Sequence, residues 1–249
     1  MIHALAAPLI ALVISLPVTM PPDTLSPGAH ALDRAVMLES VEILDNFGMR
    51  DTVEVKSGTL TITVRPVPSA WDQWAIVGRW SNAAGDPPSL DSVIVATHPF
   101  RALRHRVHSA TDSAEIVYTG DHVSGWVEPG RGKPRKTIDT RLTRGAFPDG
   151  MRERVVAMLP LRGGFAAELA AFDAWSGEAG TERLIGVRVT GLDTLTVHGE
   201  QVVCWKVAVD RRDPSGIVQT LWIAKADRRL LRSESRNAAG KRLWWYVAR

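Results

Sequence analysis

Three histidines lie within a short stretch of the chain, and histidine is both a common metal ligand and a common general base. They are His98, His105 and His108. A metal site requires side chains that converge on one point. On a single strand, the spacing of three sends His105 and His108 to opposite faces. We therefore expect polar strand residues here and no metal site.

Two further segments contain residue types that are used in catalysis. The sequence "GRGKPRK", Gly130–Lys136, is Gly-rich and basic, but Pro134 follows Lys133 where a phosphate-binding P-loop requires Ser or Thr and a helix. In "DHVSGW" the histidine and serine share one short strand, which does not build a Ser-His-Asp triad. No carboxylate pair stands out for acid–base work. We expect no catalytic residues, no cofactor and a non-enzymatic role, with a hydrolase as the less favoured alternative.

The region around this loop is rich in cations, although the net charge of the whole chain is only +3. We consider two interpretations: a solvated hairpin, or a basic patch that contacts an anionic membrane surface or another protein of the bacterial envelope. Nucleic acid is not an expected partner, because the sequence lacks a recognition helix and interleaved aromatic and basic residues. The candidate patch comprises Arg131, Lys133, Arg135, Lys136, Arg141 and Arg144.

Tryptophan is abundant, with nine residues against two Tyr and five Phe. Its large apolar ring and single N–H suit the wall of a ligand cavity as well as an ordinary core. A curved sheet lined by such residues would hold a lipid or another apolar ligand. The predicted ligand-binding residues are Trp205, Val207, Leu221 and Trp222, although Leu221 and Trp222 are adjacent and cannot both face inward. The tryptophans on or beside predicted strands are Trp71, Trp74, Trp80, Trp126, Trp205, Trp222, Trp244 and Trp245.

Most of the chain alternates between apolar and polar residues, and turn residues interrupt it at short intervals, which predicts strands. Gly216–Arg236 is predicted to be a hairpin that turns over Lys225–Arg229 and places Arg232, Glu234 and Arg236 on the solvent face. Pro148–Leu161 is predicted to be one short helix with Asp149 as a possible N-cap. The predicted fold is all-β: an antiparallel meander curved into a half-barrel or barrel, with one short helix.

Some segments have a less distinct pattern. In Gly164–Gly177 the apolar residues fit either a helix or a strand, and the strands on both sides favour a strand. Ala35–Leu44 is ambiguous in the same way. Cys204, the single cysteine, lies in the apolar run "VVCWKVAV" and is expected to be a buried, unreactive thiol.

The beginning of the chain predicts export. Ala4–Val18 is an apolar stretch of signal-peptide length, and "AHA", Ala29–Ala31, has the small residues that signal peptidase recognises. No Lys or Arg precedes Arg34, so the usual positive charge of the leading region is absent. We predict a signal peptide over residues 1–31, a single β domain over residues 32–249, and a periplasmic or otherwise exported protein.

A set of segments also resembles a known family. They are "LDSVIVATHPFRALRHRVHS", "AEIVYTGDHVSGWV", "MLPLRGG", "VRVTGLDTLTVHGEQVVCWKVAVD" and "QTLWIAKADRRLLRSE". From about Ala35 onward the chain resembles a bacterial family of exported proteins of unknown function, similar in kind to the periplasmic lipoprotein carriers.

The resemblance implies a soluble envelope protein with a curved antiparallel half-barrel that shelters acyl chains. It brings no catalytic residues with it. The implied role is non-enzymatic binding of an apolar or amphipathic ligand, in lipid or lipoprotein handling and envelope maintenance. The alternative is an interaction module that docks on an envelope component through the basic segment and a sheet edge.

Overall fold

The fold is one curved β-sheet with a short helix against its concave side, as seen in a computed structural model. The structure describes residues 23–29, 32, 37–130, 132–212 and 216–249. The strands are β1 (Asp23–Leu25), β2 (Ser40–Arg50), β3 (Val53–Val67), β4 (Ala70–Asn82), β5 (Ser89–Thr97), β6 (Phe100–His108), β7 (Asp112–Thr119), β8 (His122–Pro129), β9 (Lys136–Arg141), β10 (Phe147–Pro148), β11 (Ala166–Asp173), β12 (Thr181–Val197), β13 (Glu200–Asp210), β14 (Val218–Ala224), β15 (Leu230–Arg236) and β16 (Arg242–Ala248).

The strand order shows two antiparallel meanders joined side by side. Strands β2 to β9 follow each other in space as in sequence, and so do β11 to β16. The two runs meet where β16 pairs with β2. Two short parallel pairings, β1 and β10 with β11, depart from the meander. The predicted all-β class, the antiparallel meander and the curved half-barrel are confirmed.

The register explains how alternating residues build the concave face. Val64, Ile76, Val93 and His105 lie directly opposite one another on four neighbouring strands. Opposed residues in paired strands point to the same side of a sheet, so these side chains share the concave face. Apolar residues at these positions are buried, and the same rows continue around the sheet as its main core.

The helix α1, Arg152–Ala157, lies in the connection between β10 and β11. A 3-10 turn, Asp149–Met151, leads into it. Val155, Val156 and Leu159 are fully buried in the main core, as the predicted packing of this helix over the sheet requires. The predicted N-cap at Asp149 is wrong: the carboxylate instead binds Arg152 and Arg211, at 2.8 and 3.1 Å.

The hairpin and strand predictions in the second half of the chain are confirmed, with one correction. Strands β14 and β15 flank a turn over residues 225–229, and the ambiguous segment 164–177 contains strand β11. Arg232, Glu234 and Arg236 lie on the convex face as predicted. Glu234 is nevertheless buried, because the two arginines bracket its carboxylate. Glu234 is thus held between two arginines in a cluster of ion pairs, whereas the sequence predicted a solvated carboxylate.

The free edge of β9 is tied to the opposite edge region by side-chain bonds. Lys136 Nζ donates to Gly177 O at 2.9 Å and Thr140 Oγ1 to Ala179 O at 2.7 Å. These acceptors lie in the connection between β11 and β12, so the two edges of the open sheet approach each other. Covering an edge in this way removes a site for unwanted strand pairing.

Most of the predicted signal peptide, residues 1–31, lies outside the described residues. Its described part is integrated into the fold, because β1 pairs with β11 and Leu25 reaches the main core. Cleavage after Ala31 stays a prediction, and it would remove β1 from the sheet. No helix in the described ranges is long and apolar enough to cross a membrane.

Candidate ligand-binding cavity

A cavity of about 260 Å³ lies between the concave face of β2–β5 and the beginning of the helical segment. Strand alternation supplies its apolar wall, because every second residue of these strands points inward. Leu60 and Ile62 on this wall are only partly buried, unlike the core residues around them. The apolar lining consists of Leu44, Leu60, Ile62, Ile76, Val93, Met151, Ala157 and Leu230.

The helical side of the cavity is polar and tightly bonded. Arg152 donates to Asp149 Oδ1 at 2.8 Å and to Gln219 Oε1 at 3.1 Å. Gln219 in turn donates to Ser233 Oγ at 2.8 Å. Burial by itself lowers the pKa of Arg152, but the charges of Glu153 and Asp149 outweigh it, and the pKa is raised well above its usual range. Arg152 therefore remains a cation that holds this side of the cavity in place.

A second buried ion pair joins the sheet to the helix. Arg154 Nη2 donates to Glu42 Oε1 at 2.6 Å, across 112 positions of sequence. Glu42 is only 6% exposed, and its Oε2 has no hydrogen-bond partner among the described residues. Removing either partner would leave a buried charge uncompensated, which is costly. The pair therefore fixes α1 over β2 at the cavity.

Asp91 and His105 form a third pair, at the exposed side of the cavity. His105 Nε2 lies 2.8 Å from Asp91 Oδ1, and the Asp91 side chain is 45% exposed. A Cβ at Gly150 would lie 2.8 Å from Asp91 Oδ2, so a glycine at this position lets the helical segment approach the carboxylate. A His–Asp pair has the residue types of a general base, which acts on a nearby nucleophile. The one thiol of the chain, Cys204, is not beside this pair, because it belongs to a separate cluster on the convex face.

Tyr246 completes the lining from β16. Burial, followed by the charge of Glu153, raises the pKa of Tyr246 to about 12. The phenol is therefore neutral at physiological pH. Its ring stands edge-on to Trp80 with 6.1 Å between the ring centres, which extends the aromatic surface beyond the cavity.

The four residues predicted to bind ligand lie elsewhere. Val207 and Leu221 are fully buried in the main core, and Trp205 packs against it. Leu221 faces inward and Trp222 faces outward, so the conflict between these neighbours is resolved in favour of Leu221. None of the four lines the cavity.

Trp222 instead has a structural place on the convex face. Its indole N–H donates to Asp193 Oδ2 at 2.8 Å, and Lys206 and Arg232 lie over its ring. The hydrogen bond from Trp222 contributes most to lowering the pKa of Asp193. Beside it, burial raises the pKa of the Cys204 thiol, as expected for an unreactive cysteine.

The sequence contained a signal for the actual lining. Glu42 and Leu44 are two positions apart and therefore lie on the same face of a strand. A charge at such a core-facing position needs a partner. Arg152, Glu153 and Arg154 similarly stand just before a fully apolar helical turn. Charged residues at inward positions, rather than tryptophans, indicate this cavity.

The predicted basic patch is distributed along an edge strand, and most of its cations are engaged. Arg131 lies outside the described residues. Arg135 lies 4.0 Å from the ring centre of Trp126, and Lys136 is bonded to Gly177. Arg141 and Arg144 pair with Asp121 and Glu182, at 2.8 and 3.8 Å. Lys133 is exposed.

The three histidines occupy three different environments. His105 faces the concave side and pairs with Asp91, whereas His108 is exposed on the opposite face, as the spacing predicts. His98 stacks on Trp71 in a neighbouring turn, with 6.3 Å between the ring centres. Within the described ranges, no group of three His, Cys, Asp or Glu side chains is arranged to hold a metal ion.

Comparison with known proteins places the chain in a family. Residues 46–240 match the profile of the family described as "Protein of unknown function (DUF3108)", and the chain belongs to that family. The predicted resemblance to a bacterial family of unknown function is thereby confirmed. No curated protein matches the sequence.

One solved structure supports the fold. A β-barrel-like protein of the DUF1849 family from Brucella abortus is similar, with a TM-score of 0.57 and 10% identity over 86% of this chain and 96% of that one. The hypothetical lipoprotein YmcC from Escherichia coli has a TM-score of 0.36 and 13% identity over 86% and 88% of the two chains. At these identities the Brucella protein shows a common fold alone.

Proposed function

We propose that this protein is a non-enzymatic exported protein that binds an amphipathic ligand, with an apolar chain of the ligand seated in the cavity between β2–β5 and α1. The observation that carries the proposal is the contrast between the two sides of the cavity. An apolar wall of strand residues faces a helical side held in ion pairs. Ligand sites commonly combine a mostly apolar surface with a few fixed polar groups.

The size of the cavity limits what it holds. Its volume of about 260 Å³ is slightly below the roughly 300–1,000 Å³ of typical small-molecule sites. It accommodates part of one acyl chain, and the remainder of a lipid would extend over Trp80 and Tyr246. The apolar segment at the beginning of the sequence supports export and, with it, a role in lipid or lipoprotein handling in the bacterial envelope.

The first test is native mass spectrometry, with solvent extraction, of the full chain exported from a bacterial host. We expect a co-purifying apolar molecule at near-stoichiometric amount. A designed pair of variants locates it: Ile62→Trp fills the cavity, whereas Thr61→Trp adds the same ring on the opposite face of β3. The first variant should lose the ligand and the second should retain it, with both checked for folding by circular dichroism. Equal retention by both variants would rule out this cavity as the site.

A second candidate function, docking on an anionic membrane surface, is favoured by Trp71. This side chain is 89% exposed at the beginning of β4, next to the β3–β4 turn. Arg65, near the end of β3, and Arg101, near the beginning of β6, have no carboxylate partner in the described part of the chain. Exposed indole rings favour the membrane interface, and unpaired cations are attracted to anionic lipid.

Co-sedimentation with phosphatidylglycerol vesicles tests this second candidate. Trp71→Ala should reduce the bound fraction several-fold, because the ring would enter the interface. Trp175→Ala, which removes a half-exposed indole from the β11–β12 connection, is the matched control and should bind normally. If wild-type protein stays in solution, or if both variants bind alike, this candidate is wrong.

A further inference from the structure

From Arg228 we infer that the ligand of the cavity carries an anionic head group, a carboxylate or a phosphate, on its apolar chain. This inference rests on the proposed function and deepens it. Arg228 lies in the turn between β14 and β15 and contributes to the cavity lining together with Leu230 of the same hairpin. One element therefore presents a guanidinium and an apolar side chain to the same space.

Arg228 differs from the other charged residues of the lining. Arg152 and Arg154 each have a carboxylate partner within ion-pair distance, and Asp91 lies 2.8 Å from the His105 imidazole. In the part of the chain that the structure describes, Arg228 has no carboxylate partner. Its side chain makes one hydrogen bond there, from Nη1 to the Leu159 carbonyl oxygen at 3.4 Å. The remaining guanidinium donors are available to a ligand.

The backbone of Arg228 supports a role beyond shaping the turn. Its φ is 62°, in the left-handed region where glycine and asparagine are the favoured residues. An arginine there costs conformational energy, and such positions cluster where a side chain has a function. The side chain of the next residue has different surroundings from that of Arg228. Arg229 is 54% exposed and pairs with Asp227 at 2.6 Å.

The chemistry of the guanidinium selects the head group. Its planar set of N–H donors matches the two oxygens of a carboxylate or a phosphate, which it binds in a bidentate manner. Three of the four carboxylates of the lining are paired with arginines, so they add little repulsion; they are Glu42, Asp149 and Glu153. A neutral alcohol of the same chain length would fill the apolar wall and leave Arg228 unpaired.

The test compares dodecanoate with dodecanol, which have the same chain and different heads, as competitors of the neutral probe 1-N-phenylnaphthylamine. We expect wild-type protein to prefer dodecanoate by roughly tenfold, the smaller end of the range for hydrogen bonds to charged groups. Arg228→Asn should abolish this preference, and it should fold normally because asparagine tolerates the left-handed backbone. Arg228→Lys should restore part of the preference, since it keeps the charge but not the fork.

Arg229→Asn is the matched control and should keep the full preference. Equal affinity for acid and alcohol in wild-type protein, or a preference that survives in Arg228→Asn, would overturn the inference while leaving the cavity as an apolar site. If neither compound displaces the probe, the proposed function itself fails. Lysophosphatidic acid in a parallel arm distinguishes the sources: tighter binding than dodecanoate identifies a phosphate head, and weaker binding a carboxylate.

Discussion

The concave face of the sheet contains two regions with inward-facing apolar residues, and only one of them is closed. In the main core, side chains such as Ile116, Ile138 and Phe172 are almost completely buried. Along β2–β5, Leu60 and Ile62 point to the same side of the sheet and remain partly accessible. Apolar residues alternate in both regions, but β2 and β5 place Glu42 and Asp91 at inward positions beside the cavity. These charges and the position of the helical segment together distinguish the cavity from the core.

A matched pair of leucines tests this contrast and should give the largest effect. Leu159 is fully buried beyond the end of α1, whereas Leu60 faces the cavity. Leu159→Ala should lower the free energy of unfolding by about 2–5 kcal/mol, because it removes packed methyl groups and leaves a void. Leu60→Ala should lower the free energy of unfolding by less than half as much, since one side of the Leu60 side chain already borders open space. Urea denaturation measures both, and similar losses would mean that the two regions are equally packed.

A pair of inward-facing glycines sharpens the same contrast with a smaller effect. A Cβ at Gly125 on β8 would lie 2.0 Å from Glu115 O, at a φ of +143°. At Gly78, in the cavity wall, the nearest atom would be the Leu60 side chain at 3.6 Å. Gly125→Ala should therefore destabilise the protein by more than about 1 kcal/mol, and Gly78→Ala by little. Thermal melting compares them, and a reversed order would contradict the assigned packing.

The third prediction has the smallest expected effect. It uses the pH dependence of stability to test a residue of the convex face independently of the cavity. Burial raises the pKa of Glu234, but hydrogen bonds from Arg232 and Arg236 outweigh it, so the folded-state pKa lies below the usual value. A lowered pKa contributes stability that is complete above the unfolded-state value of about 4.3 and is lost as the pH falls through the folded-state value. As the pH is lowered below about 4.3, the free energy of unfolding should thus decrease. This decrease should be less steep in Glu234→Gln.

Ligand binding at neutral pH should be unchanged in Glu234→Gln, because Glu234 lies on the face opposite the cavity. Probe displacement at pH 7 is the control measurement. A variant that loses stability in acid as steeply as wild type would show that other carboxylates dominate the transition. A loss of binding would show that the two faces are coupled.

Local patterns predicted the elements well, whereas the lining of the proposed cavity depends on contacts between residues that are distant in sequence. The hairpin of β14 and β15 and the strand β11 follow from alternation and turn residues, which act over a few positions. Glu42 pairs with Arg154, 112 positions away, and Asp149 binds the distant Arg211 as well as the nearby Arg152, so local patterns did not show the buried pair or the arginines that bind Asp149. Leu221 and Trp222 show the same limit, because alternation separates two faces without saying which is concave.

The pairing of β16 with β2 has a consequence for the order of events during biosynthesis. Among the described strands, β16 comes last in the chain, yet it lies between β15 and β2 in the middle of the sheet. A nascent polypeptide that has emerged only as far as Lys241 holds two separate sheets with unpaired facing edges. Closure of the gap between β15 and β2 therefore waits for β16, so the continuous sheet is complete only after the last described strand has been synthesised.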